Sequence, residues 1–185
     1  MVLQLLRHQF TVKQFHQMAE SGILSENERL ELIRGEMIDM SPIGRRHAGC
    51  VNRLVNLLIQ LLGKRIILAP QNPVELDETS EPQPDIALLK PRADFYRTAH
   101  PQPEDIFLLI EVADTTIKYD REVKVTLYAE ANIPEVWLID VNQEVIEVYR
   151  NPLQGVYQDI QKLVKNQTLS ILAFSDVSIN VSEIF

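Results

Sequence analysis

Two carboxylates and one ammonium mark the places in this 185-residue sequence where chemistry could occur. Asp85 follows Pro84 and opens the apolar run Asp85-Ile-Ala-Leu-Leu. Glu111 lies near the end of Asp105-Ile-Phe-Leu-Leu-Ile-Glu-Val, which is nearly continuous in apolar residues, as a strand buried on both faces should be. A carboxylate at the end of such a strand is costly to desolvate without a partner. A divalent cation is one such partner, because Mg²⁺ is commonly held by one or two carboxylates plus waters and substrate oxygens. A metal there could polarise a phosphoryl oxygen and generate hydroxide, while an ammonium neutralises charge or positions water. Lys124, one turn after Asp120 on the next helix, is the candidate ammonium. Spacing alone leaves plainer roles open. A Pro-Asp pair also makes a turn, a strand-end glutamate can reach solvent, and a helix lysine commonly lies on the surface.

The elements that must position these groups can be read from periodicity. Thr11 caps a short helix that Gly22 stops. Leu30–Ile33 and Glu36–Met40 form a hairpin around Arg34-Gly35. The strongest helical pattern runs from His47 to Lys64: Val51, Leu54, Val55, Leu58 and Leu62 share one face, and Leu61 widens it. Arg46, Arg53, Gln60 and Lys64 gather opposite, a face free to meet phosphate or simply solvent. Strands are expected at Arg65–Ala69, Pro73–Leu76, Asp85–Leu89, Asp105–Val112, Glu135–Asp140, Glu144–Arg150, Gly155–Tyr157 and Thr168–Leu172. A helix with Asp120 as N-cap spans Asp120–Ala131, and Asn132 stands near its C-cap. Trp137 alternates into the sheet. The sum is an α/β (α+β mixed) fold, a central mixed sheet flanked by helices, in a single domain over 1–185.

Composition narrows the function classes. Hydrophobic content of 45% and charged content of 24% are globular values. A net charge of −8 argues against a general nucleic-acid coat. Charge is segregated, however: no Asp or Glu occurs from Met40 through Val74, where Arg45, Arg46, Arg53, Lys64 and Arg65 all fall. The single cysteine, Cys50, precludes an intrachain disulfide and suits a cytoplasmic location. Met1–His8 is too short and too soon interrupted for a signal peptide, and no apolar run approaches membrane-spanning length. His8, His16 and His100 show no metal-ligand spacing in sequence. P-loop, nucleophile-elbow and dinucleotide fingerprints are absent.

Pro84-Asp85-Ile-Ala-Leu-Leu, Leu109-Ile-Glu111-Val, Asp120, Lys124, Tyr128 and Ile133-Pro-Glu135-Val-Trp137-Leu-Ile-Asp140 together resemble the Uma-type restriction endonucleases, a branch of the PD-(D/E)XK nucleases. Glu31-Leu-Ile-Arg-Gly35-Glu36-Met-Ile-Asp-Met40-Ser-Pro42 and His47 are similar to the family's N-terminal hairpin and helix start. The resemblance covers nearly the whole chain and implies a restriction-endonuclease-like core. It implies that Asp85 and Glu111 bind Mg²⁺ or Mn²⁺, and that Asp85, Glu111 and Lys124 are catalytic. In the wider superfamily the lysine sits two residues after the glutamate, where this sequence has Ala113; in this branch it has moved to the following helix, which points to Lys124. Glu31 is implied as an auxiliary acid. His47 could act near phosphate or be incidental. Val112-Ala-Asp114-Thr-Thr departs from the family's usual turn and adds charge at Asp114.

The expectation is a metal-dependent endonuclease cleaving phosphodiester bonds in DNA, with Arg46, Arg53 and Lys64 toward the nucleic acid. A homodimer would present two such faces, and no membrane is involved. The alternatives are a catalytically inactive nuclease-fold module used for nucleic-acid binding or assembly, and hydrolysis of RNA or a small nucleotide.

Overall fold

A computed structural model of the chain describes residues 7–25 and 27–185. Residues 1–6, and with them most of the segment weighed as a signal peptide, lie outside the described residues. The elements run α1 (Val12–Glu20), β1 (Leu30–Ile33), β2 (Glu36–Asp39), α2 (Arg45–Leu62), β3 (Ile67–Pro70), β4 (Ile86–Leu89) and β5 (Ile106–Ala113). Next come α3 (Ile117–Tyr119), a π-helical turn (Asp120–Lys124), α4 (Val125–Glu130), β6 (Glu135–Asp140), β7 (Val145–Leu153), β8 (Val156–Leu163), β9 (Thr168–Ile171) and β10 (Phe174–Asn180).

Six strands form one mixed sheet in the order β3-β4-β5-β6-β7-β8, and only β5 and β6 are parallel. Parallel neighbours need a crossover, and α3, the π turn and α4 supply it. The period-2 alternation of side chains then divides the core. Ile86, Leu88, Leu108, Ile110, Trp137 and Ile139 pack with α2, β9 and β10 on one face. Ala87, Leu89, Leu109, Ala113 and Leu138 pack with α4 and Ile33 on the other. Glu111 shares the parity of Leu109 and Ala113, so this polar residue falls on the crossover side.

α1 has the expected Thr11 cap: its hydroxyl accepts from the Gln14 amide, and Gln14 reciprocates at the Thr11 amide. The β1–β2 hairpin closes at Arg34-Gly35, where both residues have positive φ, as a two-residue turn of the primed type requires. Glycine is demanded twice there, since a Cβ on Gly35 would stand 2.5 Å from the Cβ of Gln9.

Several expectations are corrected. α2 begins at Arg45 and ends at Leu62, and Lys64 sits beyond it in a 3₁₀ turn. Leu54 and Leu58 are fully buried, but Leu61 is exposed, because the stripe that packs on the sheet is narrower than the apolar pattern. β3 starts at Ile67 rather than Arg65. Pro73–Leu76 is a loop: Val74 and Leu76 are buried, yet their amides donate to Pro82 and Ser80 carbonyls within one local excursion. The helix after β5 starts at Ile117, so Asp120 lies inside it and does not cap it. β10 was not anticipated, because its spaced apolar residues are interrupted by Ser175, Asp176 and Ser178. Trp137 is fully buried, and its indole N–H donates to Glu135. Among the described residues no helix is long and apolar enough to cross a membrane.

Candidate active site

β4 and β5 run antiparallel with Ile86 opposite Ile110. Continuing that register one step sets Asp85 opposite Glu111, and directly opposed residues in an antiparallel pair share a face. The Val112 amide donates to Asp85 Oδ2 at 2.8 Å, fixing the carboxylate at the strand end. Both acids line one cleft of about 700 Å³, together with Glu31, His47, Asp120 and Lys124.

The crossover helix delivers the cation. Asp120, Lys124 and Tyr128 recur every four residues, so they fall along one side of the helix. Asp120 and Lys124 lie in the π turn, a feature frequent at functional sites, and all three side chains are buried. Lys124 Nζ stands 3.0 Å from Glu31 Oε2 and 3.3 Å from Glu111 Oε1. It also donates to the Gln83 carbonyl at 3.4 Å. An amine from the helix therefore occupies the space beside Glu111, while Ala113, where the wider motif has lysine, is buried and apolar.

The electrostatics follow from burial. Desolvation pushes the Glu111 carboxyl well above its ordinary range, with Asp85 and Asp120 adding to the shift; Lys124 and the Tyr128 hydroxyl oppose it. Burial likewise raises Asp120, against a hydrogen bond from the Thr116 hydroxyl at 2.6 Å. For Lys124, burial works against the charged amine, but Glu111, Glu31 and Asp120 outweigh it and raise its pKa. These neighbours favour the charged amine of Lys124, which is paired with both Glu31 and Glu111.

His47 comes from the first turn of α2. Its Nε2 lies 2.8 Å from Asp85 Oδ1, and this bond raises the imidazole above its usual value despite burial. His47 Nδ1 is the only buried side-chain nitrogen or oxygen among the described residues that lacks a hydrogen-bond partner. Glu31, from β1, is held by Lys124 and by the Gln83 amide at 3.1 Å. Asp114 lines the same cleft, contributes to the His47 shift and accepts from Asn142.

Asp85, Glu111, Lys124, Glu31 and His47 are therefore brought together. None of the three basic residues proposed for nucleic acid lines the cleft. Arg46 and Arg53 lie on the exposed side of α2 near its N-terminal half, where they border a second depression. Arg46 donates to Asn142 and Arg53 to the Phe185 carbonyl. Lys64 lies past the other end of this 18-residue helix, about 27 Å along its axis from the His47 end, outside the cleft. Sequence reasoning gave no site role to Asp120 or Tyr128, although their spacing of four from Lys124 was a usable signal.

The donor set suits a hard cation. Asp85 and Glu111 offer carboxylate oxygens, the chemistry that favours Mg²⁺ or Mn²⁺ over softer metals, and a two-carboxylate site leaves the remaining positions to water and substrate. His47 on Asp85 and Tyr128 on Glu111 are hydrogen-bonding supports of the kind that orient ligating carboxylates.

Comparison with known proteins agrees with this architecture. The Uma2 family, described as "Putative restriction endonuclease", matches residues 12–182. A crystal structure of "a putative nuclease belonging to DUF820" from Anabaena variabilis superposes with a TM-score of 0.75 at 16% identity, covering 95% of this chain and 97% of that one. At that identity the likeness speaks for the fold. No curated protein matches the sequence. With the family model spanning residues 12–182, nearly the whole chain, the chain belongs to the Uma2 family described by those words.

Proposed function

We propose that the protein is a divalent-metal-dependent endonuclease that hydrolyses phosphodiester bonds in DNA. The observation that carries this reading is the convergence of Asp85 and Glu111, from opposed strand positions, with the Lys124 ammonium in one cleft. Mg²⁺ or Mn²⁺ held by Asp85 and Glu111 would supply Lewis-acid polarisation of the phosphoryl oxygen. Lys124 would orient the attacking water and offset negative charge gathering on the phosphoryl oxygens, in a pocket where burial strengthens such interactions. Its amine is anchored by Glu31, which limits its motion without removing its charge. His47, with Nε2 committed to Asp85, would act beside the substrate phosphate by holding that carboxylate in place. The exposed Arg46 and Arg53 would approach the backbone, and two copies in a homodimer would allow both strands to be cut.

Purified protein with Mg²⁺ or Mn²⁺ should nick supercoiled plasmid, and Asp85→Ala should abolish the activity. A full-length, folded protein that cleaves neither DNA nor RNA with either metal would overturn the reading. One observation favours an inactive binding module instead: Asp85 and Glu111 already have protein partners in His47, Lys124 and Tyr128. DNA binding unchanged by Asp85→Ala and Glu111→Gln, with no metal uptake in the cleft by calorimetry, would select that alternative.

A further inference from the structure

A second constellation lies outside the cleft. Among the described residues, His16, Glu81 and His100 are the one group of three His, Cys, Asp or Glu side chains whose ligand atoms all lie within 4.8 Å of one another. They come from three separate parts of the chain. His16 is on α1, Glu81 lies in the segment that bridges to Leu32 of β1, and His100 belongs to the loop between β4 and β5. None of the three lines the candidate active site.

Glu81 is the unusual member. It is 3% exposed, yet its only side-chain partner among the described residues is His16, whose Nε2 stands 2.9 Å from each carboxylate oxygen. No lysine, arginine or backbone amide among the described residues donates to it. An ionised carboxylate has acceptor sites for several donors, and here the second nearby ring is another imidazole, His100, with its centroid 5.6 Å from that of His16. Two imidazoles and a carboxylate are the donor set of zinc-type sites, in which a fourth position stays open to water. Ligand atoms about 2.0–2.1 Å from a tetrahedral ion stand about 3.3 Å from one another. The three ligand atoms already lie within 4.8 Å of one another, and the half-exposed His16 leaves a path for the ion. Nitrogen donors discriminate against Mg²⁺, so this chemistry is distinct from that of the Asp85–Glu111 pair.

We propose that His16, Glu81 and His100 form a transition-metal site, of zinc type, that joins α1 to the two loops that carry Glu81 and His100. The competing account is a plain His16–Glu81 ion pair beside an incidental His100.

The test uses the full chain, stripped of metal and titrated with Co²⁺ in a large excess of Mg²⁺. Zn²⁺ affinity is measured by competition with a chromophoric chelator. The wild type should bind one equivalent, show the intense visible absorption of tetrahedral Co²⁺, and gain thermal stability with Zn²⁺. Asp85→Ala should retain all three responses, while the double variant His16→Ala/His100→Ala and the single variant Glu81→Gln should lose them. The histidines are only half-buried, so an unchanged metal-free melting temperature in the double variant would confirm that its fold survives. Absence of stoichiometric uptake by the wild type, or uptake that survives in the double variant, would overturn the proposal and leave the ion pair.

Discussion

Glu147 provides a quantitative test of how the crossover helix is held in place. It lies on β7 facing the crossover, nearly fully buried, and accepts from Arg121 at 2.9 Å, from Lys162 at 2.8 Å and from the Tyr149 hydroxyl. Arg121 belongs to the π turn that also carries Asp120 and Lys124. Burial alone would push the Glu147 carboxyl up, but these three donors outweigh it and take it from 4.5 to about 2. At about 1.4 kcal/mol per tenfold change in proton affinity, that difference is worth ~3 kcal/mol. Arg121 and Lys162 are 42% and 67% exposed. Solvent screening of such partners reduces the expectation to ~2 kcal/mol.

Glu147→Gln keeps the shape and removes the charge, so it should cost ~2 kcal/mol at pH 7 and lower the melting temperature by about 4–8 °C. The folded carboxyl binds its proton more weakly than the unfolded one. Its contribution is therefore complete above pH 4.5 and is lost as the pH falls through about 2. Urea denaturation of wild type and variant at pH 7, 5 and 3 should show the gap shrinking by more than half at the lowest value. A gap that stays constant across this range, or one below ~0.5 kcal/mol at pH 7, would refute the assignment of the stabilisation to an ionised, donor-held carboxylate.

Other substitutions probe the remaining links. Lys124→Met removes the amine that lies between buried Glu31 and Glu111; it should abolish cleavage and destabilise the fold by ~3–5 kcal/mol in urea denaturation. Tyr128→Phe deletes one donor to Glu111 and should cost ~1–3 kcal/mol while leaving Lys124 in place, a contrast visible by comparing the two variants' midpoints. Gly35→Ala must move Gln9 and hold a positive φ, so thermal melting should show a loss of more than ~1 kcal/mol. Leu58→Ala, in the fully buried stripe of α2, should cost ~2–5 kcal/mol by the same assay, whereas Leu61→Ala should be nearly neutral.

The elements that form from short-range pattern were largely legible in the chain. Thr11, Gly35 and the apolar run from Ile106 to Val112 each carry their conformational preference locally, through a hydrogen-bonding side chain, a left-handed backbone or a period of two. The boundaries that failed are those decided by partners far away in sequence. Asp120 has the residue type of a cap, but the helix begins three residues earlier, and burial of Asp120 beside Lys124 comes from packing of the crossover on the sheet. Pro73–Leu76 is apolar enough for a strand, yet its amides are satisfied within a loop.

The site divides along the same line. Residue types and their order marked Asp85, Glu111 and Lys124, because a carboxylate ending an apolar strand is conspicuous wherever it occurs. Their meeting point required tertiary structure: the register of β4 on β5 and the return of the crossover helix bring residues 85, 111 and 124 together with Glu31 and His47. His16, Glu81 and His100 illustrate the converse, three residues with no spacing signal in the chain that become neighbours only when α1 and two loops are packed. Sequence carries local preference and burial pattern; distances between groups many residues apart are set by strand pairing and core packing, which no stretch of chain encodes alone.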